Sequence, residues 1–224
     1  MTRIITRLVA DAALVALLLL AAAGTLAWQS AWVLLAVMLL VRIVGAVAVY
    51  RVNPTLLTDR AKLPVHADQP WSDRLLLVIV LSAGMLGIPT VAARDVFYWH
   101  VFPLPAPTFR IFGLALFASG WILKSIALRA NAFAVPVVRA QHEQVLADSG
   151  VYGVIRHPFY AADPLILTGI GLWLGSYVAV LAASIPVAAM MARAVMEERF
   201  LQRELPGYSA YMARVRYRLV PGIW

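Results

Sequence analysis

The stretch that decides the fold is residues 156–198, RHPFYAADPLILTGIGLWLGSYVAVLAASIPVAAMMARAVMEE. Its central part, Leu165 to Met196, is an apolar run of 32 residues. As one helix this run would be about 48 Å long, whereas the hydrocarbon layer is ~30 Å thick. We therefore predict a helical hairpin that turns near Gly175, with both ends at the same membrane surface. Pro186 is a candidate kink in the second arm.

The rest of the chain has the same apolar character. Of its 224 residues 62% are hydrophobic and 13% charged, and the mean hydropathy is +0.82. A soluble domain of this length needs a charged surface that this composition does not supply. Lipid leaves only helices and closed barrels as spanning structures, and continuous rather than alternating apolar runs favour helices. The four earlier apolar runs lie at residues 1–28, 31–50, 75–93 and 109–128.

These runs predict an all-α, polytopic integral membrane protein. It has four spanning helices, the C-terminal helical hairpin and a cytoplasmic C-terminal segment, and the chain forms a single domain. The first run resembles a signal peptide, but a second run follows at once, so we expect a retained first transmembrane helix.

The Lys and Arg residues are distributed unequally between the two sides of the predicted membrane. With a cytoplasmic N-terminus and six crossings, 16 of the 19 fall on the inner side. Only Arg94 and Arg110 fall outside, and Arg42 lies within a span. This positive-inside pattern predicts that both termini and the hairpin ends face the cytoplasm. It also accounts for the net charge of +8 without a nucleic-acid partner. Arg42 either snorkels, has a structural partner or contributes to a site.

Polar residues flank the predicted hairpin on both sides. Residues 156–158, Arg-His-Pro, precede it, and Arg193, Glu197 and Glu198 lie at its returning end. Arg193 and Glu197 are four residues apart on one helical face and can pair, while Glu198 points about 100° further round and is free to face a ligand. The pattern predicts a cytoplasm-facing pocket of mixed charge, backed by apolar helices. Taken singly, each element also fits an interfacial turn or a solvated helix end.

Other kinds of site have little support in the sequence. There is no cysteine, and the four histidines, His66, His100, His142 and His157, form no metal-binding pair. Neither a G-x-S-x-G elbow nor a glycine-rich phosphate loop is present. We therefore predict no metal site. Tyr208 and Tyr211 are either interfacial anchors or part of the pocket.

The spacing of the polar residues resembles that of a known family. The matching segments are Gly150-Val151-Tyr152, Arg156-His157-Pro158-Phe159-Tyr160, Arg193-x-x-x-Glu197-Glu198-x-x-Leu201, and Tyr208-x-x-Tyr211-x-x-x-Val215 with Pro221. This order is similar to the isoprenylcysteine carboxyl methyltransferase family, whose wider group includes phospholipid N-methyltransferases. The resemblance covers about the last 80 residues, with residues 1–128 as helical scaffold and 129–224 as cofactor and catalytic region.

The resemblance implies an integral-membrane methyltransferase that uses S-adenosylmethionine. Its acceptor would be lipid-like or small and apolar, possible groups being the carboxylate of a prenylated cysteine, an amine or a thiol. The implied cofactor-binding residues are Gln144, Val145, Leu146, Gly150, Tyr152, His157, Pro158, Tyr160, Glu197 and Glu198. The implied catalytic residues are Arg193, His157 and Glu198. Partners would be the acceptor and membrane lipids, and the oligomeric state stays open.

Two departures separate this chain from the family pattern. Ala162 stands where glycine is usual and is followed by Asp163, and Gln144 stands where eukaryotic members often carry histidine. Both departures weaken any transfer of acceptor identity. Two alternative functions stay open: an NADPH-dependent membrane reductase of the sterol type, and a non-catalytic small membrane transporter or assembly protein.

Overall fold

The structure, a computed structural model, describes residues 2–60, 71–131 and 145–224. Its α-helices are α1 (Thr2–Ala23), α2 (Gln29–Tyr50), α3 (Pro54–Arg60), α4 (Trp71–Ile79), α5 (Ile88–Arg94), α6 (Pro107–Ala130), α7 (Pro158–Leu174), α8 (Tyr177–Ala182), α9 (Ser184–Glu204) and α10 (Tyr208–Arg214). Two π-helical segments, Val80–Gly87 and Asp95–Trp99, continue α4 and α5, and a 3₁₀ turn at Gly150–Gly153 precedes α7. The all-helical fold predicted from the sequence is confirmed.

Within the described residues, five helical segments are long and apolar enough to cross a membrane. They are Ile4–Ala23, Gln29–Tyr50, Trp71–Trp99, Pro107–Ala130 and Tyr177–Glu204. The first four correspond to the four predicted spanning helices. The third is 29 residues long, well beyond the predicted 75–93, because the π-helical segments keep the helix unbroken.

The predicted hairpin is formed by α7 and by α8 with α9. The chain reverses at Gly175, whose φ of 96° lies in the left-handed region that glycine adopts without strain. Ser176 then caps α8, since its hydroxyl accepts from the N–H of Ala179 at 3.0 Å. The helix is interrupted at Ala183, three residues before Pro186. Pro186 has no N–H to donate, so it interrupts the hydrogen-bond ladder at the predicted kink.

Small residues bring α6 and α7 into close contact. A Cβ on Gly169 would lie 2.6 Å from the carbonyl oxygen of Gly113 and from the N–H nitrogen of Phe117. One on Gly120 would lie 2.8 Å from the carbonyl oxygen of Ala162. Membrane helices associate through such small-residue contacts because lipid supplies no hydrophobic drive between them. This interface fixes the position of α7 and hence the position of its first turn, where the polar residues lie.

We call the end of the bundle at which α1 begins and α9 ends the site end, and the opposite one the far end. At the far end, Arg110 donates to the hydroxyl of Ser30 at 2.7 Å, and the indole of Trp173 donates to the Ser30 carbonyl at 2.7 Å. Tyr98 donates to the carbonyl of Ala23 at 3.3 Å. These contacts join the helix turns remote from the polar residues.

Towards the site end, three ion pairs among the described residues join one helix to another. They are Arg42–Asp11 at 2.6 Å, Lys124–Asp163 at 2.6 Å and Arg193–Asp73 at 2.7 Å. Charges inside a membrane bundle are tolerated when they are paired and face the interior. Of the alternatives predicted for Arg42, the structure therefore supports a structural partner, which is Asp11. Asp163 likewise has a cationic partner, Lys124.

Candidate active site

A cavity of about 480 Å³ opens at the site end and runs into the bundle. Its inner part is apolar and is lined by Val15, Leu34, Met38, Phe117 and Ile170, among others. Leu34 lies 16 residues before the end of α2 at Tyr50, or about 24 Å of helix rise. A volume of this size falls in the range of small-molecule sites, roughly 300–1,000 Å³. The cavity can take an apolar chain at its inner end and a polar group at its outer end.

The polar wall of the cavity is centred on Tyr160. Its hydroxyl donates to Oε2 of Glu197 at 2.5 Å, and its ring stacks on that of His157 with 5.6 Å between centroids. The guanidinium of Arg193 lies 5.9 Å from the centre of the Tyr160 ring. Pro158 occupies the first turn of α7, where its missing N–H costs nothing. Tyr160 thus connects the start of α7 to the returning helix α9.

Glu198 lies behind this wall as the acceptor of an ion network. It is 2% exposed. Its Oε1 accepts from Nε of Arg156 at 2.6 Å and contacts Nε2 of His157 at 3.2 Å, and its Oε2 accepts from Nε of Arg218 at 2.6 Å. Because an ionised carboxylate only accepts, Nε2 of His157 carries the hydrogen in this contact. Nδ1 is then the ring nitrogen left for a ligand.

The C-terminal segment holds these groups in place. Ile155 and Tyr217 form an isolated parallel bridge, and the N–H of His157 donates to the carbonyl of Arg218 at 2.9 Å. Arg156 also donates through Nη1 to the carbonyls of Val215 and Arg216, both at 2.7 Å. The residues after α10 therefore position Arg156 and His157 through their backbone carbonyl groups. Sequence reasoning missed the part of Arg218, since no spacing rule relates it to Glu198.

Three tyrosines close the site on the side of α10. Tyr211 donates to the carbonyl of Tyr152 at 2.7 Å, and Tyr208 and Tyr211 are 3% and 2% exposed. Their interpretation as interfacial anchors is therefore wrong. Burial raises the pKa of Tyr152 to about 12, and it also raises the pKa of Tyr208 and of Tyr211. Among the described residues the Tyr208 hydroxyl has no hydrogen-bond partner, which leaves it available to a ligand.

The predicted site residues divide into two groups. Those that line the cavity are Val145, Leu146, Tyr152, His157, Tyr160, Arg193 and Glu197. Those that lie outside its lining are Gly150, Pro158 and Glu198. Gln144 lies outside the described residues, as do His66 and His142.

The predicted orientation of the two glutamates is wrong. The sequence favoured Glu197 as the ion-pair partner of Arg193 and Glu198 as the residue facing a ligand. In the structure Glu197 faces the cavity and Glu198 is buried in the ion network, and Arg193 pairs with Asp73. The physical reason is that α9 packs on α4 with Arg193 facing Asp73, so Glu198, five residues further along the helix, lies on another side of α9.

The structure adds Arg60 to the cavity wall. Its guanidinium lies 4.5 Å from the centre of the Phe159 ring, and burial lowers the pKa of Arg60 to about 10. In the sequence, Arg60 is one of the 16 Lys and Arg residues predicted on the inner side. Within the described residues, no three His, Asp or Glu side chains are grouped so that they could hold a metal ion.

Comparison with known proteins identifies the region. Residues 108–206 match the sequence model of the phospholipid methyltransferase family. The match covers 99 of the 224 residues, the part of the chain that holds the polar wall of the cavity. The matched residues run from α6 to just beyond α9 and contain both arms of the hairpin and the two glutamates.

A solved structure has a similar fold. It is the eukaryotic intramembrane Ras methyltransferase, an isoprenylcysteine carboxyl methyltransferase, with 18% sequence identity and a TM-score of 0.55. The similarity covers 87% of this chain and 67% of that protein. The likeness is one of fold, and together with the apolar helical segments it supports an integral membrane protein. No curated protein sequence matches the chain.

Proposed function

We propose that the protein transfers a methyl group from S-adenosylmethionine to a lipid-like or small apolar acceptor. The observation that carries the proposal is the continuity of one cavity, whose polar wall holds Glu197, Arg193 and His157 and whose inner part is apolar. A methyl donor and an apolar acceptor need these two environments side by side. The match of residues 108–206 to the phospholipid methyltransferase model supports the reaction class.

The residues of the polar wall fit the chemistry of S-adenosylmethionine. This cofactor has a cationic sulfonium and an amino-acid zwitterion, and it supplies an activated methyl group. Glu197 has a carboxylate on the cavity wall with one oxygen bound to Tyr160, and it would face a positive group. Nδ1 of His157 and the hydroxyl of Tyr208, which has no hydrogen-bond partner among the described residues, would form hydrogen bonds with the other polar groups of the cofactor. The residues therefore suit the group.

The contribution of the chain to the reaction would be mainly positioning. Methyl transfer is an in-line displacement, and holding two reactants in line supplies much of the acceleration. Tyr160 is held by Glu197 and stacked on His157, so the wall against which the reactants lie is rigid. An acceptor that must lose a proton would need a base. Nδ1 of His157 would take that proton, and a carboxylate acceptor would need none.

We further propose that the site end faces the cytoplasm, on the grounds of the unequal distribution of Lys and Arg. The acceptor would enter between helices from the membrane, with its apolar chain along Phe117 and Ile170 and its reactive end at Tyr160. The carboxylate of a prenylated cysteine is the first candidate. An amine or a thiol on a similar apolar chain would fit the same space.

Calorimetric titration of the detergent-solubilised protein tests the cofactor. We expect S-adenosylhomocysteine to bind and NADPH not to bind. Binding of NADPH alone would sink the proposal and favour a membrane reductase. Transfer of labelled methyl groups into prenylcysteine analogues, phospholipids and small thiols then identifies the acceptor class. His157→Ala should lower transfer to an amine or thiol far more than transfer to a carboxylate.

A further inference from the structure

A second polar region lines the cavity, nearer to α2 than the Tyr160 wall. Trp121 on α6 lies between two cations, with the guanidinium of Arg42 4.9 Å and the ammonium of Lys124 5.5 Å from its ring centre. All three residues line the cavity. The proposed function uses none of them.

Close packing of α2 on α6 brings Arg42 to Trp121. A Cβ on Gly45 would lie 2.1 Å from the hydroxyl oxygen and 3.1 Å from the Cβ of Ser125, so glycine favours this close approach. Arg42 lies one turn before Gly45, and Trp121 lies one turn before Ser125. The guanidinium and the indole therefore meet inside the bundle, about 12 Å of helix rise from the end of α2.

Counting the described residues, the region carries an excess of positive charge. Asp11 is shared by Arg42 at 2.6 Å and Arg7 at 3.0 Å, so one carboxylate neutralises one of two guanidinium groups. Lys124, the other cation near Trp121, forms a neutral pair with Asp163 at 2.6 Å. The Arg42 side chain is 13% exposed. An excess charge at this depth in a membrane bundle is costly unless an anion accompanies it.

Hydrogen-bond donors in the region outnumber their acceptors. Within the described residues, Arg42 donates one hydrogen bond, to Asp11, although a guanidinium has five N–H groups. The indole Nε1 of Trp121 is buried and has no partner among the described residues. Buried donors without acceptors are rare in native proteins. Oδ2 of Asp163 also has no partner there, but its other oxygen already holds Lys124.

We infer that Arg42 and Trp121 form a binding site for the anionic group of an amphiphile, a phosphate or a carboxylate. The apolar chain of the amphiphile would lie along Met38 and Phe117, which line the adjoining part of the cavity. The guanidinium supplies charge and a planar pair of donors, and the indole supplies one more donor. In one respect the inference rests on the proposed function, since it takes this amphiphile to be the methyl acceptor.

The site would select acceptors by charge. Contacts connect it to the Tyr160 wall through Lys124, whose ammonium lies 4.4 Å from the Phe159 ring centre, and through the edge-on contact of Phe159 with Tyr160. An acceptor held at Arg42 by one anionic group would therefore present a separate reactive group, such as an amine, a thiol or a second carboxylate, within the same cavity. Neutral chains of equal length would lack the contact with Arg42.

Binding of radiolabelled probes to the full-length protein in dodecyl maltoside tests the inference. The probes are dodecyl phosphate, dodecanoate, dodecanol and dodecylamine, and inorganic phosphate is added as a competitor. We expect Arg42→Gln to weaken the two anionic probes at least about tenfold, as the loss of a charged hydrogen-bonding partner implies. Trp121→Phe, which keeps an aromatic ring but removes the N–H donor, should weaken binding of the anionic probes less than Arg42→Gln does. Dodecanol should bind both variants as it binds the wild type.

Matched controls come from the far end of the bundle. There Arg110 also lies near an indole, that of Trp173 at 5.9 Å, but neither lines the cavity. Arg110→Gln and Trp173→Phe should leave binding of all probes unchanged. Should Arg42→Gln fail to fold because Asp11 loses a partner, the double variant Asp11→Asn, Arg42→Gln removes both charges and should still lose the anionic probes.

Each outcome decides the inference. The inference is overturned if Arg42→Gln loses binding of dodecanol and of dodecyl phosphate equally, or if its binding of the anionic probes is unchanged. It is also overturned if the wild type prefers dodecylamine. Competition by inorganic phosphate as strong as that by dodecyl phosphate overturns the part played by the apolar chain. A preference between dodecyl phosphate and dodecanoate separates the two anionic sources. Titration of the same variants with S-adenosylhomocysteine is separate: its failure in the wild type overturns the proposed function and leaves the anion site standing.

Discussion

Replacing Glu198 tests whether this residue is structural. In Glu198→Ala, the buried guanidinium of Arg156 loses its carboxylate, and Arg218 and His157 lose theirs. The Arg156 side chain is 5% exposed, so solvent cannot replace the lost partner. Breaking a buried ion pair by removing one partner costs about 3–5 kcal/mol. Glu197→Ala is the matched control, because it removes a single hydrogen bond to Tyr160, worth about 1 kcal/mol.

Thermal unfolding in detergent, followed by far-UV circular dichroism, measures the difference. For a chain of this size 1 kcal/mol corresponds to roughly 2–4 °C in melting temperature. We expect Glu198→Ala to melt roughly 6–20 °C below the wild type and Glu197→Ala only a few degrees below it. Relative to its fall in melting temperature, Glu197→Ala should nevertheless lose more affinity for S-adenosylhomocysteine than Glu198→Ala loses. Equal melting temperatures for the two variants would refute the assignment of Glu198 to a structural network.

Three further predictions concern the fold around the site. Gly169→Ala should destabilise the protein by about 1–3 kcal/mol, because the new Cβ meets backbone atoms of α6 at 2.6 Å; Gly84→Ala, whose nearest neighbour is at 3.6 Å, should melt close to the wild type. A double-mutant cycle of Asp73→Asn and Arg193→Gln, read by melting temperature, should give a coupling of about 1.5–3 kcal/mol, and additive effects would contradict the ion pair. Burial raises the pKa of Tyr152 from 10.0 to about 12. The contribution of its neutral form to stability is therefore full below pH 10 and is lost as the pH rises to about 12. Over that interval the melting temperature of Tyr152→Phe should fall less steeply than that of the wild type.

The hairpin was predictable because its evidence is local. A run too long for one crossing, with glycine near its middle, must turn back, and the left-handed backbone at Gly175 is what glycine is suited to. Grouping His157 with the glutamates required only that both hairpin ends reach one membrane surface. Length and composition therefore brought the candidate site together without knowledge of any contact.

The roles of Glu197 and Glu198 were not predictable in the same way. Helical spacing states that the two side chains differ by about 100°, but it does not state which of them points at the cavity. That depends on the rotation of α9 about its axis, which the packing of Arg193 against Asp73 sets. The partner of Arg42 was hidden for a related reason, since Asp11 is 31 residues away.

By itself, the sequence determined that the chain is a helical membrane protein, where its hairpin turns and which short segment holds its chemistry. These properties follow from the thickness of a bilayer, the satisfaction of backbone groups and the sign of charge near helix ends. Only the tertiary structure decided which side chains face the cavity and which support it. Helix rotation and close approaches such as that at Gly45 result from packing between distant segments, and no local pattern records them.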